Sequence, residues 1–310
     1  MKIKKASLIL IVLMLFGCSA YFVHSCYTNL QEVKRQQAHL EQRKIAWEAL
    51  RQILRKDISQ FKGEAGIVIK DLGTNWEIFY NKDKLFPSAS LAKIPIMSAC
   101  FLAADEGNIE LGQMVALKNR DKLTGSGTLK MARAGSVFSV EELINRMIRD
   151  SDNTATNMLT NVIGVDYLRN VFSSFGFKNT NLSRRVADYK SRRKGIENYT
   201  TAGDMAMILE RMYRRNLVNK KVSEKCLNTM SLKHVNDRIS KYLPADVVVA
   251  HKTGLERSVC HDVGIVSSDK GDFLICVLTA KNKKSNSARS KRFIARVALH
   301  TYEYLYGVRS

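Results

Sequence analysis

One short segment organises the 310-residue chain, and it reads Phe86-Pro87-Ser88-Ala89-Ser90-Leu91-Ala92-Lys93. A Pro/Ser turn runs into an apolar, helix-forming run from Leu91 to Ala104, which places Ser90 at or near a helix N-terminus and Lys93 one turn later on the same face. The unpaired N–H groups of a helix N-terminus favour a developing oxyanion, and an amine beside a hydroxyl can take its proton if burial lowers the pKa of the amine. Alone, this spacing more often marks an N-cap serine followed by a surface lysine.

Two further motifs change that interpretation. Ser151-Asp152-Asn153 and Lys252-Thr253-Gly254 follow along the chain. S-x-x-K, S-D-N and K-T-G in this order form the motif set of class A β-lactamases and penicillin-binding proteins. The flanking residues 149–157 and 250–254 resemble the same family contexts. From about residue 62 to residue 308 the chain therefore resembles the class A β-lactamase-like serine hydrolases.

The order of predicted elements indicates an α+β fold. Runs with strand character lie at 66–71, 76–80, 247–252, 262–267 and 272–279. Strands at both ends with a helical middle imply one sheet completed by sequence-distant strands, with an inserted helical domain. The resemblance implies the same architecture, a five-stranded antiparallel sheet flanked by helices with the site in the cleft between the two parts. We therefore expect an α/β part at 62–86 and 245–308 and a helical part at 87–244.

The resemblance assigns the acylation chemistry to three side chains. Ser90 is the implied nucleophile, which attacks a strained or D-alanyl amide carbonyl and forms an acyl-enzyme. Lys93 is the implied proton acceptor, a role that in class A enzymes is disputed between the lysine and a glutamate acting through water. Ser151 would relay a proton to the leaving nitrogen. The backbone N–H groups of Ser90 and Leu255 are expected to form the oxyanion hole.

The remaining motif residues are expected to bind substrate. The resemblance implies that Asn153 holds the amide side chain of the substrate and contacts Lys93. Lys252 would supply positive charge near the substrate carboxylate, and Thr253 would add a hydroxyl donor to it. Gly254 would let the substrate approach the strand edge closely.

One departure from the family pattern lies between residues 183 and 201. Class A β-lactamases carry an E-x-x-L-N element there, whose glutamate activates the deacylating water, and this chain has no such element. The acids present are Asp188 and Glu197. Glu197 is close to the next helix and is interpreted as structural, whereas Asp188 is the possible deacylation base, with a shorter reach. The sequence thus predicts intact acylation and slow hydrolysis.

Composition restricts the partners. Basic residues exceed acidic ones by 21, which suits an anionic surface such as phospholipid or the anionic polymers of a cell envelope. Nucleic acid is excluded as a partner because no binding fold or basic-aromatic platform is present. The basic clusters at 184–194 and 281–292 are each interpreted as a solvated face.

The six cysteines include no C-x-x-C pair, so we expect no metal site and no cofactor. Cys100 and Cys276 are predicted to be core thiols. A disulfide among the other cysteines stays open.

Residues 1–26 are predicted to be a signal peptide or membrane anchor. Three lysines within the first five residues precede an apolar run from Ala6 to Val23, a pattern typical of export signals and anchors. Leu15-Phe16-Gly17-Cys18 resembles a bacterial lipoprotein cleavage box, in which the cysteine becomes the lipidated N-terminus. Lipoprotein, uncleaved anchor and plain secretion are the alternatives, and all three place the rest of the chain outside the cytoplasm.

Residues 27–61 are predicted to form a spacer helix. Apolar residues recur every seventh position on one helical face, at Val33, Leu40, Trp47, Leu54 and Phe61. The companion positions are polar, so a strong coiled coil is not expected. We expect the second half (Trp47, Leu50, Leu54, Ile58) to dock on the catalytic domain, with a weak dimer helix as the alternative.

Three functions remain open on this basis. The first is an envelope-tethered, penicillin-recognising serine hydrolase with β-lactamase-like activity. The second is a D,D-peptidase or penicillin-binding protein acting on cell-wall peptide stems. The third is a non-enzymatic envelope-binding protein that retains the fold, which the intact set of Ser90, Lys93, Ser151 and Lys252 disfavours.

Overall fold

The computed structural model describes residues 2–232, 235–281 and 286–307, without the side chains of residues 2–17, 20, 306 and 307. The helices are α1 Lys2–Gln60, α2 Lys93–Asp105, α3 Val140–Arg149, α4 Asn153–Ile163, α5 Val165–Ser174, α6 Tyr189–Arg193, α7 Ala202–Tyr213, α8 Lys220–Met230 and α9 Ser287–Gly307. The strands are β1 Gly63–Asp71, β2 Glu77–Tyr80, β3 Phe86–Pro87, β4 Met114–Ala116, β5 Val137–Ser139, β6 Tyr199–Thr200, β7 Val248–Leu255, β8 Val259–Ser268 and β9 Gly271–Lys281.

A five-stranded antiparallel sheet in the order β2-β1-β9-β8-β7 unites the two ends of the catalytic region. This confirms the predicted α+β fold and the pairing of sequence-distant strands. The central contact joins β1 to β9, with Val68 opposite Cys276. All of these strands except β2 are longer than predicted, and β7 includes the whole K-T-G motif and ends at Leu255.

Alternating side chains of the sheet build two cores. Val68 and Cys276 belong to the core shared with the helical part, whereas Ile67, Ile69 and Ile275 belong to the core shared with α1 and α9. Because both faces are covered, the middle of β8 and β9 is buried almost without a break. Cys100 and Cys276 are buried free thiols, as predicted.

Helix α1 docks by its second half, as predicted. Trp47, Leu50 and Leu54 are buried, and Trp47 packs edge-on against Tyr304 with ring centroids 5.0 Å apart. In contrast, Val33 and Leu40 are 48% and 50% exposed. The apolar residues of the seven-residue pattern therefore do not pack on the domain in the part of the helix nearer the N-terminus.

Ion pairing reinforces the docked part. The carboxylate of Asp71 accepts hydrogen bonds from Arg43 at 2.7 Å and from the Tyr304 hydroxyl at 2.8 Å.

Within the described residues, no helix is long and apolar enough to cross a membrane. Most of the predicted signal or anchor at residues 1–26 falls on side chains outside that description.

Helix α2 begins two residues later than the predicted run from Leu91. Residues Ala89–Ala92 form a 3₁₀ turn, and α2 starts at Lys93. Pro95 lies in the first turn of α2, where a missing N–H costs no intrahelical hydrogen bond. Ser139 is the N-cap of α3, because its Oγ accepts a hydrogen bond from the Glu142 N–H at 3.1 Å.

The sequence did not indicate the short strand pair that positions the nucleophile segment. Strand β3 pairs with β6, with Phe86 opposite Thr200. The Ser88 N–H donates to the Asn198 carbonyl at 2.8 Å. These bonds attach the segment around Ser90 to the far end of the loop formed by residues 183–198, hereafter the cleft loop.

Candidate active site

Ser90 lies in the 3₁₀ turn that leads into α2 and is half-buried. The preceding residue, Ala89, has φ 46°, a left-handed conformation that costs energy in a residue with a Cβ. The surroundings fix that conformation, since Phe86 is fully buried and the Pro87 carbonyl is 2.9 Å from His261 Nε2. Ser90 is thereby held at the start of the helix, where sequence analysis placed it.

Lys93 is completely buried beneath the S-D-N turn. Its Nζ lies 2.6 Å from the Ser151 carbonyl, 3.2 Å from Ser151 Oγ and 2.9 Å from Asn153 Oδ1. Burial, followed by the nearby charge of Lys252, holds the pKa of Lys93 well below its ordinary value, and Asp152 opposes this in part. A neutral amine has two N–H groups for the two carbonyl oxygens and one lone pair for a hydroxyl, so Lys93 can accept a proton.

The S-D-N turn is held by Asp152, whose carboxylate is buried. It accepts hydrogen bonds from the Ala155 N–H at 2.9 Å, as the N-cap of α4, and from the Leu129 N–H at 2.8 Å. A Cβ on Gly127 would lie 2.1 Å from this carboxylate, so glycine is required there. Ser151 takes the left-handed φ of 52° in this turn, and the hydrogen bonds of Asp152 brace the turn.

Lys252 in β7 is the second buried lysine of this region. Burial lowers the pKa of Lys252 to about 7, with Asp262 acting to raise it and Arg238 to lower it. At neutral pH a large fraction of this side chain is charged, as recognition of a carboxylate requires. Glycine at position 254 was expected so that substrate can approach the strand edge. Packing is a second reason for it, because an added Cβ would lie 3.1 Å from His261 and 3.3 Å from Leu91.

A cleft of about 390 Å³ opens beside Ser90. Its lining comprises Ala89, Ser90, Gly125, Ser126, Asn153, Arg184, Val186, Ala187, Tyr189, Arg192, Asn198, Leu255, Glu256 and Arg257. The predicted oxyanion donors, Ser90 and Leu255, thus lie on one cavity together with Asn153. The structure brings the predicted residues of all three motifs to this region, although their catalytic roles stay predictions.

Asp188 has a structural role in the cleft loop. Its carboxylate caps α6, accepting from the Ser191 N–H at 3.0 Å and the Ser191 hydroxyl at 2.6 Å. These hydrogen bonds lower the pKa of Asp188, which weakens it as a base. Asp188 is not among the described residues that line the cleft, to which the loop contributes Arg184, Val186, Ala187, Tyr189, Arg192 and Asn198.

Glu197 is paired with two arginines of the cleft loop. Glu197 accepts from Arg184 Nε at 3.0 Å and from Arg192 Nε at 2.9 Å, which agrees with its interpretation as structural. The expectation of a solvated basic face is wrong for Arg184, which is buried. Arg192 also forms an ion pair with Glu256. Sequence analysis missed both members of that pair, because only their distance in space, not their positions in the chain, connects them.

Comparison with known proteins agrees with this geometry. A sequence profile described as the β-lactamase enzyme family matches residues 48–305. The chain belongs to the β-lactamase enzyme family. It is a β-lactam-recognising serine hydrolase of the class A β-lactamase and penicillin-binding protein type.

Among individual relatives, β-lactamase VEB-1 of Pseudomonas aeruginosa is 23% identical over 77% of this chain and 84% of its own length. The extended-spectrum β-lactamase PER-1 of the same organism is 25% identical over 73% and 78%. Two similar solved structures are a β-lactamase from Sphaerobacter thermophilus and PBP-A, each with TM-score 0.76 and 26% identity. They cover 84% and 83% of this chain and 97% and 96% of their own. A mutant of PBP-A was solved as an acyl-enzyme complex with penicillin G.

Proposed function

We propose that this family member is acylated by β-lactams on Ser90 and releases the acyl group slowly. The observation that carries the proposal is the position of Lys93, a buried amine of lowered pKa within 3.2 Å of Ser151 Oγ. In the acylation step Ser90 Oγ bonds to the lactam carbonyl carbon and loses its proton to Lys93. The C–N bond then breaks, and the nitrogen receives a proton through Ser151. The backbone N–H groups of Ser90 and Leu255 are the proposed donors to the oxyanion.

Slow deacylation is proposed because the cleft loop offers no suitable base among its described residues. The loop residues that line the cleft carry no carboxylate, and Glu256, the one carboxylate among the described lining residues, is paired with Arg192. Asp188 caps α6, and Glu197 is paired with two arginines. General base catalysis is worth about 10²–10⁴-fold, so its loss should let the acyl-enzyme accumulate.

The test is a burst experiment with intact-mass analysis. A chromogenic β-lactam should give one equivalent of product rapidly and a slow steady state thereafter. The acyl mass increment should persist during the slow phase and should map to Ser90. Rapid multiple turnover would contradict slow deacylation, and absence of any adduct or product would contradict the proposed activity itself.

A second candidate function is a D,D-peptidase acting on cell-wall peptides, as a penicillin-binding protein does. The similarity to PBP-A at 26% identity favours it, together with the predicted persistence of the acyl-enzyme. Release of D-alanine from a D-alanyl-D-alanine peptide at a rate far above penicillin turnover would support this function over β-lactam hydrolysis.

We further propose that the chain is exported and held at a membrane through residues 1–26, as a lipoprotein or by an uncleaved anchor. The basic start and apolar run support this, and the net charge of +21 suits anionic phospholipid or envelope polymers. Cell fractionation tests the location, since free cytoplasmic protein would refute it. Loss of lipid labelling in Cys18→Ser would select the lipoprotein, and unchanged membrane retention without labelling would select the anchor.

A further inference from the structure

The two ends of the cleft loop are hydrogen-bonded to each other at Arg184 and Asn198, which form its neck. The Arg184 N–H donates to Asn198 Oδ1 at 2.9 Å, and Asn198 Nδ2 donates to the Arg184 carbonyl at 2.9 Å. Glu197 then links the neck to α6, because its carboxylate accepts from both Arg184 and Arg192. The loop therefore behaves as one braced unit whose helix α6 presents Arg192 to the cleft.

Two arginines attach this unit to the two halves of the domain. On the helical side, Arg185 donates to Asn157 Oδ1 at 3.0 Å and to Asn161 Oδ1 at 2.6 Å. On the sheet side, Arg192 pairs with Glu256, the residue that follows the end of β7. Arg192 and Glu256 both line the cleft that holds Ser90. The ion pair is therefore part of the cleft wall and connects the cleft loop to the strand that carries K-T-G.

Glu256 is fixed in place for this contact. Its N–H donates to the Val259 carbonyl at 3.1 Å, and its own carbonyl accepts from Lys281 Nζ at 2.9 Å. Its side chain is 16% exposed and that of Arg192 is 27% exposed. Solvent screens such a pair less than a surface pair, and a charge-assisted hydrogen bond between held partners resists opening.

We propose that the Arg192–Glu256 ion pair is a clasp that limits the width of the cleft and selects β-lactams with compact acyl side chains. Lys252 and Thr253 are the expected partners of the substrate carboxylate, which leaves the wall formed by Val186, Tyr189 and the clasp to face the acyl side chain. The cleft volume of about 390 Å³ is near the lower end for small-molecule sites, so a bulky side chain enters only if this wall moves.

The proposal rests on the proposed acylation of Ser90, and it is tested by the acylation rates of two β-lactams. Benzylpenicillin represents the compact acyl group, and an oxyimino cephalosporin with a branched side chain represents the bulky one. In Arg192→Gln and in Glu256→Gln the bulky-to-compact ratio of acylation rate constants should rise at least about tenfold, the scale of steric discrimination in binding pockets. Because Arg192 also pairs with Glu197, Glu256→Gln is the variant that removes the clasp alone.

Arg185→Gln is the matched control, because it removes an arginine from the same loop but releases only the contact with α4. Its ratio should stay within about twofold of the unaltered chain. An unchanged ratio in both clasp variants would overturn the proposal, as would an equal rise in the Arg185 control.

A second measurement needs no substrate and separates this proposal from the proposed function. Amide hydrogen exchange across residues 185–196 should be faster in Arg192→Gln and Glu256→Gln than in the unaltered chain. If benzylpenicillin never acylates Ser90, the proposed function fails, and unchanged exchange would refute the clasp independently. Faster exchange with an unchanged acylation ratio would show a structural tie and overturn its role in selectivity.

Discussion

Replacement of Asp152 by alanine is expected to damage both the stability and the pH profile of the site. The buried carboxylate caps α4 through Ala155 and satisfies the Leu129 N–H. Loss of an N-cap costs about 0.5–2 kcal/mol, and an unsatisfied buried N–H costs about 1–3 kcal/mol. The free energy of unfolding should therefore fall by roughly 2–4 kcal/mol, which corresponds to a Tm lower by about 5–12 °C.

The same substitution should change acylation through Lys93. The negative charge of Asp152 raises the pKa of Lys93 against the effect of burial, so its removal should lower that pKa further. Because acylation requires the neutral amine, the acidic limb of the acylation rate against pH should move to lower pH. Thermal unfolding and a stopped-flow pH profile measure the two effects.

Asp150→Ala is the matched control for this prediction. Asp150 precedes the turn, and its ion pair with Arg149 lies at the surface, where such pairs are worth about 0–1 kcal/mol. A Tm change in Asp152→Ala no larger than in this control would refute the assigned bracing role. An acidic limb that stays in place or moves to higher pH would refute the electrostatic argument.

Four other predictions concern the reaction. Intact-mass analysis should show one penicillin adduct that is absent in Ser90→Ala, and an adduct that persists would move the nucleophile elsewhere. Asp188→Asn should leave the slow deacylation rate within about twofold, because a capping side chain is not the base; a tenfold decrease would restore it as the candidate. Val186→Glu, which places a carboxylate on the cleft wall, should raise steady-state turnover by at least about tenfold without faster acylation. The acylation rate constant divided by the binding constant should rise with pH as Lys93 loses its proton and fall as Lys252, with a pKa of about 7, loses its charge; a profile flat from pH 5 to 9 would contradict both assignments.

The motif spacing was sufficient to predict which residues meet at the site, because the three motifs are carried by strongly patterned elements. Ser90 precedes an apolar helix, and Lys252 lies in a β-rich run, so the resemblance could place both. The start of α2 was less predictable, since the left-handed conformation of Ala89 depends on packing around Phe86 rather than on local preference.

The cleft loop was the part that sequence could not resolve. Asp188 was the obvious acid in the segment, yet a capping bond to Ser191 occupies it. Arg192 belongs to a run of basic residues that reads as solvated, whereas its partner Glu256 is 64 residues away in the chain. Pairings of that kind depend on how the loop folds back on the sheet, and no local pattern encodes them.

Helix α1 has a geometric consequence for the whole molecule. Its 59 residues run without a break from Lys2 to Gln60, just before β1, and span about 90 Å. A flexible tether of this length would limit only the distance of the catalytic domain from the start of the chain. A continuous helix also determines how the domain is rotated about the helix axis, because each residue adds about 100°. If the proposed membrane attachment holds the first residues of α1, the helix therefore sets the direction in which the cleft faces as well as its distance from the membrane. Inserting two residues in the exposed segment of α1 would then turn the mouth of the cleft by about 200°.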